Sequence, residues 1–360
     1  MKGRVLIAGF ATRHIACSAK KAGYTVYSVD HFCDQDLSWY TEDRLKFEDL
    51  DELPGRIAEM AGRHRIDFFV PTSGAEAMGM PVPLAGTDRG TAARLLDKLE
   101  VQRFFEGRGI PVPPPVGEED FPYIIKPRSG AGGWRNAVIR SRDDLSRWMM
   151  QGKGEVGDPI RQKEVPGIPA SVSCLADGHR AIALSANEQL LRGGDESPFG
   201  FTGSITPLRH SLVDRMKVLA AEAVAAGGCV GSAGVDFVLG EGAVAIELNP
   251  RFQATVDTVE DSLGVSLFSL HMDACRGILP AVVPEPRRYA ARRILFADRD
   301  LVMAEDLSRL APRVADIPWP GTAFEEGQAV VSVLGTGPDR AEALRDLDNT
   351  LNKLERYMGR

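Results

Sequence analysis

The sequence predicts an α/β domain on a parallel sheet, then α+β structure beyond a proline-rich hinge, then a small mixed C-terminal region. Three observations carry this prediction. Strand and helix patterns alternate through residues 1–90. A glycine-rich loop follows the apolar run Ile124-Ile125-Lys126. Two β-branched runs flank Gly240-Glu241-Gly242, a hairpin turn signal.

The elements follow in order. Residues 4–9 (Arg-Val-Leu-Ile-Ala-Gly) are a buried-type strand, 14–22 a helix, and 24–29 a second strand ending at Asp30. Residues 54–64 are helical, and Asp67-Phe68-Phe69-Val70-Pro71 is a third strand. This alternation predicts a parallel sheet, whose ligands bind beyond the strand C-termini. Gly9 to Arg13 and the 72–76 loop lie on that edge, so Arg13 and Glu76 are candidate substrate contacts or plain loop residues. The Gly9 loop lacks the GxGxxG spacing of a dinucleotide site.

Residues 92–108 read as one charged amphipathic helix, ending at Gly109-Ile110-Pro111-Val112-Pro113-Pro114-Pro115, a natural hinge. Then come a strand (121–126), a helix (142–151), strands at 160–165 and 170–176, and a small-residue segment (192–204) expected to be mobile. Gly200 to Ser204, ahead of His210, is a candidate substrate lid. A helix at 210–226, the hairpin, and a helix near 262–276 follow. Beyond Pro284 a separate region holds strands at 292–297 and 329–334, a proline-rich loop at 313–321, and a final charged helix at 340–358.

The chain has 360 residues, 44% of them hydrophobic and 26% charged, which suits a globular protein of two or three domains. A net charge of −7 and a pI near 5.5 argue against nucleic acid as the main partner. Cys17, Cys33, Cys174, Cys229 and Cys275 form no CxxC pair and read as free thiols of a reducing cytoplasm. The N-terminal apolar run is too short for a signal peptide. The apolar stretch 219–246 is broken by Glu222, Asp236 and Glu241, so no membrane span is expected. His14, His31, His179, His210 and His271 are scattered and read as structural or solvated.

Asp236 lies in the first hairpin run, and Glu247 and Asn249 in the second. Alternation puts Glu247 and Asn249 on one face, and pairing can bring Asp236 beside them. Three oxygen ligands suit Mg²⁺; a solvated hairpin face is the other reading. The second signal is Lys126, followed by Ser129, Gly130, Gly132 and Gly133. Glycines let backbone N–H groups approach phosphate, and lysine adds a mobile charge. The same pattern also fits a surface turn, and it is no Walker A loop.

The ordered set resembles the ATP-grasp superfamily over roughly residues 90–275. The resemblance is carried by Asp97-Lys98 heading a helix, Ile125-Lys126-Pro127 with Ser129–Gly133, Arg161 to Gly167 with Ser171-Val172-Ser173, Gly234-Val235-Asp236-Phe237, and Glu247-Leu248-Asn249-Pro250-Arg251. It is closest in character to carboligase-like members related to biotin carboxylase. The resemblance implies a Rossmann-like domain (1–90), a small lobe with linker helix (91–185), a large lobe with the metal site (186–284) and a C-terminal α+β region (285–360). It implies ATP and Mg²⁺ (or Mn²⁺), with Lys98 and Lys126 on phosphates and Ser129, Gly130, Gly132 and Gly133 in a closing loop. Gln162, Lys163, Glu164 and Val165 would line adenine, Asp236, Glu247 and Asn249 would hold metal, and Arg251 would face the γ-phosphate.

Two departures stand out. Ile168-Pro169-Ala170 offers no acid for ribose, and Gln162 stands where an acid is common. The implied activity is carboxylate–amine ligation through an acyl phosphate, with small-molecule acid and amine partners and a homodimer compatible with it. A ligase acting on bicarbonate or a nucleotide is the alternative, and a non-catalytic ATP sensor is a further one.

Overall fold

Strands β1 (Arg4–Gly9), β2 (Thr25–Asp30), β3 (Asp43–Lys46) and β4 (Phe68–Pro71) form a parallel sheet in the order β3-β2-β1-β4. β1 is an unbroken apolar run because both sheet faces are covered. Helix α1 (Arg13–Lys21) packs on one face and α2 (Leu53–Arg63) on the other. The computed structural model describes residues 2–130, 132–133, 135–152, 158–193 and 199–357.

Helices α3 (Arg89–Leu96) and α4 (Lys98–Glu106) lead into the proline-rich stretch. A small antiparallel sheet follows, with β5 (Tyr123–Lys126) between β6 (Ala137–Ile139) and β7 (Ile160–Gln162). Helix α5 (Arg142–Gln151) covers it through Trp148, which packs with Tyr123, Ile125 and Ile139.

The rest is built on an eight-stranded sheet in the order β12-β11-β8-β9-β10-β13-β17-β15. Its strands are β8 (Ile168–Asp177), β9 (Ala181–Leu191), β10 (Phe201–Thr206), β11 (Val230–Leu239), β12 (Ala243–Asn249), β13 (Tyr289–Phe296), β15 (Val314–Ala315) and β17 (Ala329–Gly337). β14 (Leu301–Val302) and β16 (Ala323–Phe324) form a separate ribbon. Helix α6 (Val213–Ala226) covers one face. Helices α7 (Val256–Leu263) and α8 (Leu267–Ala274) cover the other and share a core with α1 and β1. Helix α9 (Arg340–Tyr357) packs over β13 and β17.

Several elements differ from the sequence reading. The helix expected at 92–108 is two helices, because the Asp97 carboxylate accepts from the Leu99 and Glu100 N–H groups and so starts α4. The helix expected near 262–276 likewise divides at Gly264, which turns in the left-handed conformation. The proline-rich stretch is bonded to both lobes: Pro111 O accepts from Ala245 N–H (2.7 Å) and Pro114 O from Lys163 N–H (2.8 Å). The last four residues of the segment expected to be mobile, 201–204, belong to β10, a strand inside the large sheet, and 194–198 lie outside the described residues. The C-terminal region is not a separate sheet, since β13, β15 and β17 extend the large one. The expected division at 185/186 falls inside β9; we place the lobe boundary between β7 and β8.

A buried ion cluster ties three regions together. Arg13, at the start of α1, donates to both Asp257 oxygens (3.0 and 2.6 Å) and to Asp316 Oδ1 (2.9 Å). Arg292 on β13 donates to the other Asp316 oxygen (2.7 Å). Asp36 accepts from the Asp316 and Ile317 N–H groups (3.0 and 2.9 Å). Burial opposes its charge, but two guanidinium neighbours hold the Asp316 carboxyl well below the usual range. Arg13 is therefore a joint between domains, not the substrate contact its loop position suggested. His271 makes a second joint: Nδ1 accepts from Ser232 N–H (2.8 Å), and Nε2 lies 3.1 Å from Ala85 O.

Among the described residues no helix is long and apolar enough to cross a membrane, and all five cysteines are free. Arg13→Ala should destabilise the protein by about 3–5 kcal/mol, because it strands buried carboxylates. Arg13→Lys should recover little, since an ammonium cannot span the fork. Denaturant or thermal unfolding of the three proteins checks this.

Candidate functional site

The hairpin register builds the site's floor. β11 and β12 pair antiparallel with Asp236 opposite Glu247. Directly opposed residues share a face, and Asn249 lies two residues along the same strand. Asn249 Nδ2 donates to Asp236 Oδ2 (3.2 Å), and Gln189 Nε2 to Asp236 Oδ1 (2.9 Å). Burial, then the nearby Glu247 charge, pushes Asp236 up to about 7. Two carboxylates and an amide are hard oxygen donors, and a divalent cation would relieve their repulsion, so the set fits Mg²⁺. It is a two-carboxylate site; among the described residues no three His, Cys, Asp or Glu side chains gather as a metal site.

Two lysines face this floor. Lys126, at the end of β5, is buried, and that burial lowers it to about 8, with Lys98 adding repulsion and Glu247 opposing. Lys98, at the start of α4, places Nζ 3.6 Å from Glu247 Oε1 and donates to Gly130 O (2.6 Å). An Asp97–Arg128 ion pair fastens the same loop to α4. Glycine is required at Gly133, which has φ +77 and where a Cβ would strike the Phe199 carbonyl of the opposite lobe. Ala131 lies outside the described residues.

A cleft of about 620 Å³ runs between the sheets. It is lined by Lys126, Gly132, Gly133, the segment 162–167, Asp236, Glu247, Asn249 and Arg251. The Gln162 side chain is buried; Nε2 donates to Gln102 (3.0 Å) and Oε1 has no partner. An amide held by one end is still free to accept from a ligand N–H. Pro169 lines the cleft where an acid would meet ribose. Lys98 and Gly130 join the site through each other, whereas Ser129 is exposed and does not line the cleft.

Arg251 donates to Glu76 (2.5 Å), Phe252 O (3.0 Å) and Asn249 Oδ1 (3.2 Å). Glu76 is thus the ion partner of a cleft arginine. Sequence reasoning missed Gln189 and Gln253, which both reach Asp236 Oδ1. Gln253 sits two residues past Arg251 and could have been found from that spacing. Gln189 lies on β9, a strand the pattern did not reveal.

Residues 95–255 match the family described as ATP-grasp domain. A carbamoyl phosphate synthase large chain from Thermomicrobium roseum is 28% identical over 235 residues, covering 60% of this chain but 21% of that protein. This chain thus spans about a fifth of that relative's length. An uncharacterised protein of Methanocaldococcus jannaschii is 23% identical over 92% of this chain and 88% of its own. The biotin carboxylase–β,γ-ATP complex of Campylobacter jejuni shares the fold with a TM-score of 0.79 at 15% identity, over 97% of this chain and 91% of that one. Residues 95–255, a little under half of the chain, thus match the ATP-grasp domain family.

Proposed function

We propose that this protein is an ATP-dependent carboxylate–amine ligase, forming an amide through an acyl phosphate and releasing ADP and phosphate. The observation that carries the reading is Asp236 opposed to Glu247, with Asn249 beside them and two lysines facing the same floor. Asp236, Glu247 and Asn249 would hold Mg²⁺ or Mn²⁺. When bound, the metal would supply charge neutralisation on the ATP phosphates.

The residues' tasks follow from where charge moves. Residues 162–165 receive adenine along the lobe seam. Lys126 and Lys98 neutralise phosphate oxygens, and the Gly132-Gly133 backbone covers them. A substrate carboxylate oxygen attacks the γ-phosphorus, the bond to the β-phosphate oxygen breaks, and ADP leaves. Arg251 faces the negative charge that develops there. The amine nitrogen then attacks the acyl carbon, loses a proton, and expels phosphate. No enzyme nucleophile is needed, and burial pushes Cys33, Cys229 and Cys275 up to about 12, which keeps them thiols.

The partners are then a small carboxylic acid and a small amine, with a homodimer compatible, and free cysteines suit a reducing cytoplasm. A structural neighbour, the biotin carboxylase domain of a Hydrogenobacter thermophilus 2-oxoglutarate carboxylase in complex with MgADP and bicarbonate, supports a second reading in which bicarbonate is the acid.

Mg²⁺-dependent ADP release is the test, run with pooled acids, including bicarbonate, with and without pooled amines. Release needing both an acid and an amine supports the ligase; release with bicarbonate alone moves the assignment to the second reading. Glu247→Ala and Asn249→Ala should each cut the release by about 10²-fold or more without shifting the unfolding midpoint. Unchanged release would remove them from the metal set. Lys126→Ala should raise the Kd for MgATP about 10- to 100-fold, the scale of one charged hydrogen bond, as calorimetry can read. Asp236 takes up a proton as pH falls past about 7 and Lys126 loses one as pH rises past about 8, so wild-type MgATP affinity should be greatest near that range and fall on either side of it.

A further inference from the structure

Apart from residues 162–167 and the Asp236–Glu247 floor, the cleft has a further part. Its walls are Phe10, Ala11, His14, Thr72 and Ser73 from the N-terminal domain, facing 252–255. We propose that the substrate component bound in this part carries a planar aromatic group and no phosphate, and that it stacks on Phe10. The inference rests on the ligase reading for which part of the cleft takes substrate.

Phe10 is an open platform. The residue is 39% exposed, although one ring face stacks on His31 with centroids 4.4 Å apart and planes 13° apart. Phe32 meets it edge-on at 5.3 Å. The platform is also fixed, because Phe10 N–H donates to Ser73 O (2.7 Å). Gly9 permits that approach, since at φ +150 a Cβ there would collide with Thr72. A large aromatic ring held rigid and half bare in a cleft is suited to stacking a flat partner.

The same wall is unsuited to phosphate. Among the described lining residues here no lysine or arginine is free. Arg13 lies buried beneath and is saturated by Asp257 and Asp316, and Arg251 stands beside Asn249 of the floor, not on this wall. Burial lowers His14 to about 4, so it adds no charge. Helix N-termini commonly hold anions, but the Asp30 carboxylate already occupies the start of α1. It accepts from Thr12 N–H (2.6 Å), and its other oxygen accepts from Phe32 and Cys33 N–H (2.8 and 2.7 Å). A substrate phosphate would meet a carboxylate there.

The test is saturation-transfer NMR on the whole protein with 3-phenylpropionate, phenethylamine, cyclohexylamine and ribose 5-phosphate, with MgATP binding measured by calorimetry on the same sample. Expected is saturation transfer to at least one aromatic probe, weakened at least fivefold in Phe10→Ala and kept in Phe10→Tyr, and none to ribose 5-phosphate. Unfolding midpoints confirm that both variants are folded. The proposal is overturned if neither aromatic probe binds, if Phe10→Ala binds them as wild type does, if cyclohexylamine binds as well as they do, or if ribose 5-phosphate binds. Which aromatic probe binds tells whether the acid or the amine carries the ring. Failure of MgATP to bind would instead sink the ligase reading, while the Phe10 comparison would still report on this wall.

Discussion

Two carboxylates forced to face each other are the constraint around which this cleft is arranged. The register of β11 and β12 sets Asp236 against Glu247, and burial removes the water that would screen them. Like charges at close range in a poorly solvated site cannot both persist without compensation. Compensation comes from all sides: Lys98 from α4, Lys126 from β5, amides from Gln189 and Asn249, and Arg251 further along the chain. On the proposed reading, a metal-bound triphosphate would bring this assembly a cation and an anion together. The small sheet and the large sheet each contribute only part of the assembly, so it is complete only where they meet.

The Phe10 wall of the cleft depends on a different kind of interaction. The Arg13–Asp257–Asp316–Arg292 cluster consumes Arg13, the cation that the sheet edge of the N-terminal domain would otherwise offer to a ligand. Buried ion clusters contribute little net stability compared with apolar packing, and the apolar core shared by α1, α7 and α8 holds these domains together. What the cluster does is fix their orientation and leave an uncharged wall beside Phe10.

Legibility in the sequence followed how local each feature is. The strands β1, β2, β4, β11 and β12 were readable because each is a short apolar run bounded by turn residues. The grouping of Asp236, Glu247 and Asn249 was readable because both their strands belong to one hairpin. By contrast, β9 and β10 were hidden by small polar residues. Ser185, Asn187, Ser204 and Thr206 are buried, and they pair with one another or with Thr258 on α7. Such a polar seam looks like loop composition until its partners are known. Arg13 was misread for the same reason: its partners lie 244 and 303 residues away. Asp97 was a visible helix cap that the longer amphipathic pattern masked.

The central claim is that the opposed carboxylates hold the metal of a bound nucleotide. A crystal structure of the protein with Mg²⁺ and a non-hydrolysable ATP analogue tests it directly. The account predicts one or more metal ions at about 2.0–2.1 Å from oxygens of Glu247 and Asn249, with adenine against residues 162–165. A nucleotide seated elsewhere, or a metal that touches none of Asp236, Glu247 and Asn249, would contradict it.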